Sequence, residues 1–272
     1  MNALKQILLI VVLGIFVSMR AAACTTVIVS GKYTRDGKAV MLKHRDSSCQ
    51  RVAVEYFQGS RFRLMGVVNA DWRKHPVANV PAGTPEVWGG MNETGFAIIN
   101  TATYDLKDDD VPASEMDREG VVMYRALEIC ETLADFECLL DTLSRPMGVE
   151  ANFGVIDNYG GAAYYEVNNH SWVKFDVNDE PQGYRVVTNF TQTGRPEDRR
   201  GVARYEKARS ILSSTPIPIR DWGHEFFIRK ISCSGAPILR KETSCAMIFE
   251  GDTMWAALGK PNRVPCKPYT LF

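Results

Sequence analysis

Apolar and polar positions alternate at strand spacing over both ends of the chain. Residues 25–30 and 39–44 flank a turn signal at Asp36-Gly37, and residues 52–57 and 62–68 read as a second pair of strands. Residues 95–100, Gly-Phe-Ala-Ile-Ile-Asn, follow a turn at Asn92-Glu93-Thr94. The period then changes. Over 120–130 and 134–143 apolar residues recur at helical spacing (Val121, Tyr124, Leu127, then Phe136, Leu139, Leu140, Leu143), with Thr132 or Asp135 placed to cap the second helix. Strands resume at 153–156, 162–167, 172–177 and 184–190, a second helical pair covers 199–213 and 222–231, and a last hairpin, 245–249 with 254–258, turns at Gly251-Asp252. Val27-Ile28-Val29 and Ala97-Ile98-Ile99 are apolar on both strand faces, as in sheets covered on both sides. Two antiparallel sheets with helical pairs outside them predict an α+β fold, a four-layer α/β/β/α sandwich.

The first 23 residues have a different pattern. Lys5 precedes an unbroken apolar run over 7–17, which gives way to Ala21-Ala22-Ala23, the build of a secretory leader over 1–23. The run is shorter than the roughly 18 to 20 residues that span a bilayer, and no later stretch approaches that length, so no integral membrane span is expected. Residues 24–272 contain no linker, repeat or low-complexity tract and read as a single domain. Lys and Arg total 32 against 32 Asp and Glu, so nothing marks the chain as a nucleic-acid binder. Export permits disulfides, yet none of Cys24, Cys49, Cys130, Cys138, Cys233, Cys245 and Cys266 lies in a Cys-x-x-Cys pair, and most are expected to be buried free thiols. His44, His75, His170 and His224 are too scattered for a metal site, and no cofactor is expected. Trp88, Trp172, Trp222, Tyr164 and Tyr165 read as core or pocket wall.

The candidate chemistry sits at the leader junction. If cleavage occurs after Ala23, Cys24 carries both a thiol and a free α-amine, and an N-terminal amine can serve as base for its own side chain. Unperturbed pKa values of about 8.5 for a thiol and about 7.7 to 8.0 for the amine let the two exchange a proton near neutrality. The protein would then be periplasmic or secreted. A rival reading takes Cys24 as the lipidated cysteine of a lipoprotein, but that site normally has a branched apolar residue three positions earlier, where this chain has Ala21.

The motifs downstream of Cys24 strengthen the first reading. Asp36-Gly37, Lys43-His44-Arg45-Asp46, Gly90-Met91-Asn92-Glu93-Thr94-Gly95, Val187-Thr188-Asn189, Val202-Ala203-Arg204-Tyr205 and Thr243-Ser244-Cys245 occur in an order that resembles the N-terminal-nucleophile (Ntn) hydrolases of the choloylglycine hydrolase and penicillin V acylase group, with the related acyl-CoA:6-aminopenicillanate acyltransferase-like peptidases and acid-ceramidase-type amidases. The resemblance implies the Ntn sandwich and a set of roles: Cys24 as nucleophile and base, Asp46 as holder of the α-amine, Asn189 as oxyanion donor and Arg204 as electrostatic support. Asn100 corresponds, two residues out of register, to a further polar site residue. The family has an arginine three residues before the aspartate, where this chain has Lys43; either Lys43 takes that role or Arg45 does, the other then facing solvent. Lys43 and Asp46 would face opposite sides of a regular strand, so a bend between His44 and Asp46 is expected. The implied reaction is cleavage of a linear, non-peptide amide of a small N-acylated molecule through a thioester. An acyltransferase of the same fold and a non-catalytic lipoprotein anchored at Cys24 are the alternatives. The segment 189–204 lacks the insertion that helps bile-salt and penicillin V enzymes build their tetramer, so a homo-oligomer is compatible with the resemblance without that assembly being implied.

Overall fold

In the computed structural model, residues 23–272 are described except 35, 78–79, 107–110 and 216–222. The leader, apart from Ala23, lies outside the described residues, as do Trp222 and the expected start of the last helix.

The strands are β1 (Ala23–Val29), β2 (Val40–Asp46), β3 (Val52–Gln58), β4 (Arg63–Asn69), β5 (Gly89–Asn92), β6 (Ala97–Ala102), β7 (Ala151–Ile156), β8 (Ala162–Val167), β9 (Trp172–Asp176), β10 (Tyr184–Val187), β11 (Thr243–Glu250), β12 (Thr253–Ala257) and β13 (Lys267–Tyr269). They form two sheets, six strands in the order β10-β1-β2-β11-β12-β13 and seven in the order β3-β4-β5-β6-β7-β8-β9, and every pairing is antiparallel. With helices outside both sheets, the layers form the expected α/β/β/α sandwich. Ile28, Met41, Met247 and Phe249 of the first sheet meet Met65, Ile99 and Tyr164 of the second in the central core. Side chains alternate across a strand, so Val27, Val29, Leu42 and Ile248 point outward, onto Ala208 and Leu212 of helix α3 (Val202–Ser213) and Phe227 and Ile231 beyond it. Helices α1 (Glu119–Ile129) and α2 (Leu133–Thr142) cover the second sheet through Met123, Leu127, Phe136 and Leu140. Both expected caps of α2 act at once: the Asp135 N–H donates to the Thr132 hydroxyl at 3.2 Å, and Asp135 Oδ2 accepts from the Thr132 N–H at 2.9 Å.

Several expectations needed correction. The short strands β5 and β13 carry too few residues to show a period, and neither was foreseen. β10 stops at Val187, because beyond it the chain leaves the ladder and Asn189 turns to the Cys24 end of β1. The second helical pair is less regular than its spacing predicts: α3 starts at Val202 after Gly201, and among the described residues beyond it an α-helical turn, His224–Phe226, leads into a π-helical stretch, Phe227–Ser232. β2 does not bend between His44 and Asp46. Its pairing with β1 runs unbroken from Val29↔Val40 to Ala23↔Asp46, and the irregularity lies in β11, where Ser244 is the extra residue between Thr243↔Asp46 and Cys245↔Arg45. All seven cysteines are free, but only Cys24, Cys130 and Cys245 are buried. Among the described residues, no helix is long and apolar enough to cross a membrane.

Candidate active site

Cys24 lies at the start of a strand buried along its whole length, and its own side chain is buried. Its backbone is gripped at both ends. The Cys24 N–H donates to Asn189 Oδ1 at 2.9 Å, and Arg204 Nη1 donates to the Cys24 carbonyl and, at 3.3 Å, to Thr25 Oγ1. Arg204 Nη2 donates to Asn189 Oδ1 at 2.7 Å, closing a ring of contacts around one residue.

Local structure explains why these two side chains arrive here. Asn189 lies just past the end of β10, tied to Arg200 by an isolated bridge, and its Nδ2 donates to the Ala102 carbonyl at 2.6 Å. Gly201 then turns the chain with φ 87°, and the helix starts with Arg204 in its first turn, facing back at β1. That conformation suits glycine, and space excludes more: an added Cβ would lie 2.4 Å from Arg204 Nη2. Burial pulls the Arg204 guanidinium below its ordinary pKa, with the Cys24 charge and Asp46 opposing.

Lys43 and Arg45 both face inward with Cys24. Residues i and i+2 share a strand face, so the expectation that only one of them could approach the thiol is overturned. Lys43 crosses the gap between the sheets, and its Nζ donates to the Trp88 carbonyl and to Asn100 Oδ1, each at 2.5 Å. This contact brings Asn100 into the cluster. Burial lowers the Lys43 pKa to about 8, against the pull of the Cys24 charge and with Arg45 pushing it further down. Arg45, directly opposite Cys24 in the ladder, lies 5.0 Å over the Trp88 ring and donates to Asn69 Oδ1 at 3.1 Å and Ser244 Oγ at 3.3 Å.

Asp46 is on the other face, opposite Ala23. Its Oδ2 accepts from Arg240 Nε at 2.9 Å and its Oδ1 from the Thr243 hydroxyl at 2.7 Å. In this chain the Cys24 nitrogen is a peptide nitrogen joined to Ala23, and its hydrogen goes to Asn189 rather than to Asp46.

Three groups at the site carry no motif that would reveal them: Arg240, Tyr104 and the Trp88 carbonyl. Arg240 and Tyr104 line a cavity of about 350 Å³ with Ala23, Asn189, Arg200 and Arg204. Burial and then the Cys24 charge push the Tyr104 phenol up to about 12, so it stays protonated at neutral pH. Among the described residues, no group of three or more His, Cys, Asp or Glu side chains is placed to hold a metal ion. The assembly thus sets a thiol beside a buried ammonium and a guanidinium, with an amide side chain and a second guanidinium holding its backbone.

No protein-family model and no curated protein sequence matches the chain. Solved structures do match in fold. An N-acylethanolamine-hydrolyzing acid amidase ortholog from Caenorhabditis elegans superposes with a TM-score of 0.63 at 12% identity, covering 92% of this chain and 100% of its own. Two variants of conjugated bile acid hydrolase from Clostridium perfringens give TM-scores of 0.55 and 0.51 at 12% and 13% identity, covering 91% and 92% of this chain and 92% and 97% of theirs.

Proposed function

We propose that the chain is an exported cysteine Ntn amidohydrolase that cleaves the amide bond of a small N-acylated molecule once the leader is removed after Ala23. The observation that carries this reading is the treatment of Cys24: near the start of a buried strand, its N–H and its carbonyl are separately held by Asn189 and Arg204, while its side chain shares a face with two cations, Lys43 and Arg45. A structural cysteine would need its buried backbone groups paired as well, but not two cations on the face of its thiol. The fold neighbours, an acid amidase and a conjugated bile acid hydrolase by name, support amide cleavage as the reaction class.

On this reading, loss of residue 23 leaves the α-amine at the end of β1, across from Asp46, with Asn189 Oδ1 as a second acceptor. A carboxylate on the outer face of β2 then meets the end of the strand, so no bend is required for Asp46 and Lys43 to serve one residue from opposite faces. The amine takes the thiol proton, and the thiolate, favoured by Lys43 and Arg45, attacks the amide carbonyl. The Asn189 side-chain amide, placed beside Cys24 by its contact with the Ala102 carbonyl, serves the oxyanion together with a backbone N–H. The ammonium protonates the leaving nitrogen, and water, activated by the same amine, hydrolyses the thioester.

Mass spectrometry of the mature protein should find a free Cys24 at the N-terminus, and a panel of N-acyl amides should reveal turnover that stops in Cys24→Ser and after iodoacetamide labels Cys24. A diacylglyceryl-modified terminus, or inactivation by label confined to Cys49 or Cys245, would refute the proposal.

A further inference from the structure

The Thr243-Ser244-Cys245 segment has no role in the amide-cleaving steps, yet its geometry is specific. Thr243 and Cys245 are two residues apart and would share a face in a regular strand. The bulge at Ser244 separates them: Cys245 pairs with Arg45 on the inner face, while Thr243 pairs with Asp46 on the outer one. The Thr243 hydroxyl then meets three partners, Asp46 Oδ1 at 2.7 Å, the Arg240 N–H at 2.9 Å and His44 Nε2 at 3.1 Å. A hydroxyl has one hydrogen and two lone pairs. The Arg240 amide can only donate and the carboxylate accepts, so the hydrogen goes to Asp46 and the second lone pair must receive a hydrogen from His44. His44 therefore carries a hydrogen on Nε2, while its buried Nδ1 has no hydrogen-bond partner among the described residues.

Resting on the amidohydrolase reading, we propose that Thr243 is a positioning residue of the reaction: held by His44 and the Arg240 backbone, it fixes the Asp46 carboxylate so that its remaining lone pairs face the α-amine of Cys24. Arg240 Nε holds the second oxygen, and together the two contacts set the carboxylate plane. Thr243 touches neither thiol nor substrate; it acts through Asp46.

Thr243→Val keeps the shape and removes the hydrogen, and Thr243→Ser restores it. A hydrogen bond to a charged group corresponds to about 10- to 100-fold, so Thr243→Val should lower kcat by that factor with KM within about twofold, and Thr243→Ser should return it to within about threefold of the parent. The readout that a merely structural role would not move is iodoacetamide alkylation of Cys24 against pH. A less well held ammonium stabilises the thiolate less, so the Thr243→Val profile should move upward by about one pH unit while Thr243→Ser stays near the parent. The other groups around this terminus, Arg204 from α3, Arg240, Lys43, Arg45, His44 and Tyr104, are unchanged in both variants. Thermal unfolding checks the fold, and Thr243→Ala replaces Thr243→Val if the latter does not fold. Identical alkylation profiles in parent and Thr243→Val, or equal impairment in the Val and Ser variants, would overturn the proposal. Alkylation needs no substrate: absence of turnover in the parent would count against the amidohydrolase reading alone.

Discussion

Lys43→Met separates what a buried ammonium does to stability from what it does to the thiol. Lys43 is 1% exposed, and burial lowers its pKa from 10.5 to about 8. Each pKa unit is worth about 1.36 kcal/mol, so the drop from 10.5 to about 8 makes the charged form cost the folded state on the order of 3 kcal/mol. Below about pH 8 the side chain is charged in both folded and unfolded chains, and the whole cost is present. Between about pH 8 and 10.5 the folded state gives up its proton first, the unfolded state binds more protons, and stability rises with pH. Methionine has similar length and no charge, but it leaves the Trp88 carbonyl and Asn100 Oδ1 without their donor, at about 1 to 3 kcal/mol each. The two effects oppose each other near neutrality, so the variant should differ there by no more than about 3 kcal/mol in either direction. The pH dependence decides the matter. Denaturant unfolding of both proteins from neutral to strongly alkaline pH should show the parent gaining on the order of 3 kcal/mol relative to the variant. Parallel curves would mean that Lys43 carries no buried charge. In the same variant, alkylation of Cys24 should require higher pH, because a nearby cation favours the thiolate.

Asn189→Ala should cut turnover by about a hundredfold to a thousandfold with less effect on KM, measured in steady state on a folded variant; because Asn189 also holds the Cys24 nitrogen, an unchanged kcat would remove both roles. Gly201→Ala forces an alanine into φ 87° and a Cβ to 2.4 Å from Arg204 Nη2. It should lose about 1 to 2 kcal/mol of stability together with activity, whereas loss of stability alone would show that Arg204 is not needed where it stands. Glu119 is buried, with a pKa raised to about 7 by burial, so between about pH 4.5 and 7 the folded state keeps a proton that the unfolded chain gives up, and stability falls as pH rises. Glu119→Gln should therefore flatten the stability curve over that window, which urea unfolding at several pH values would show; an unchanged slope would mean that the carboxyl is not titrating there.

Most of the sandwich was legible because its strands and its first helical pair are long enough to show their periods: Val27 to Val29, Ala97 to Ile99, and the Phe136, Leu139, Leu140 stripe each declare an element and its buried faces by spacing alone. The failures are short or irregular. Nothing in Gly89-Gly90-Met91-Asn92 distinguishes strand from turn, and the π-helical stretch after Phe226 has no spacing signal of its own. Cys24, Asp46, Asn189 and Arg204 were legible as candidates because each stands in a short motif at the right order along the chain. Their contacts were not.

The sequence by itself determined the types of the longer elements, the two-sided burial of the central strands and the identity of most polar groups at the site, since these depend on local period and residue chemistry. Only the tertiary structure decided which face each group serves. Side-chain direction in a strand reverses at every residue, so the single extra residue at Ser244 is enough to send Thr243 to Asp46 and Cys245 to Arg45. The same parity puts Lys43 and Arg45 together on the inner face and leaves Asp46 at the strand end on the other. It also takes the long-range register, spanning Cys24 to Asn189 and Arg204, to surround one cysteine from both sides, and no local pattern encodes contacts between residues so far apart in the chain.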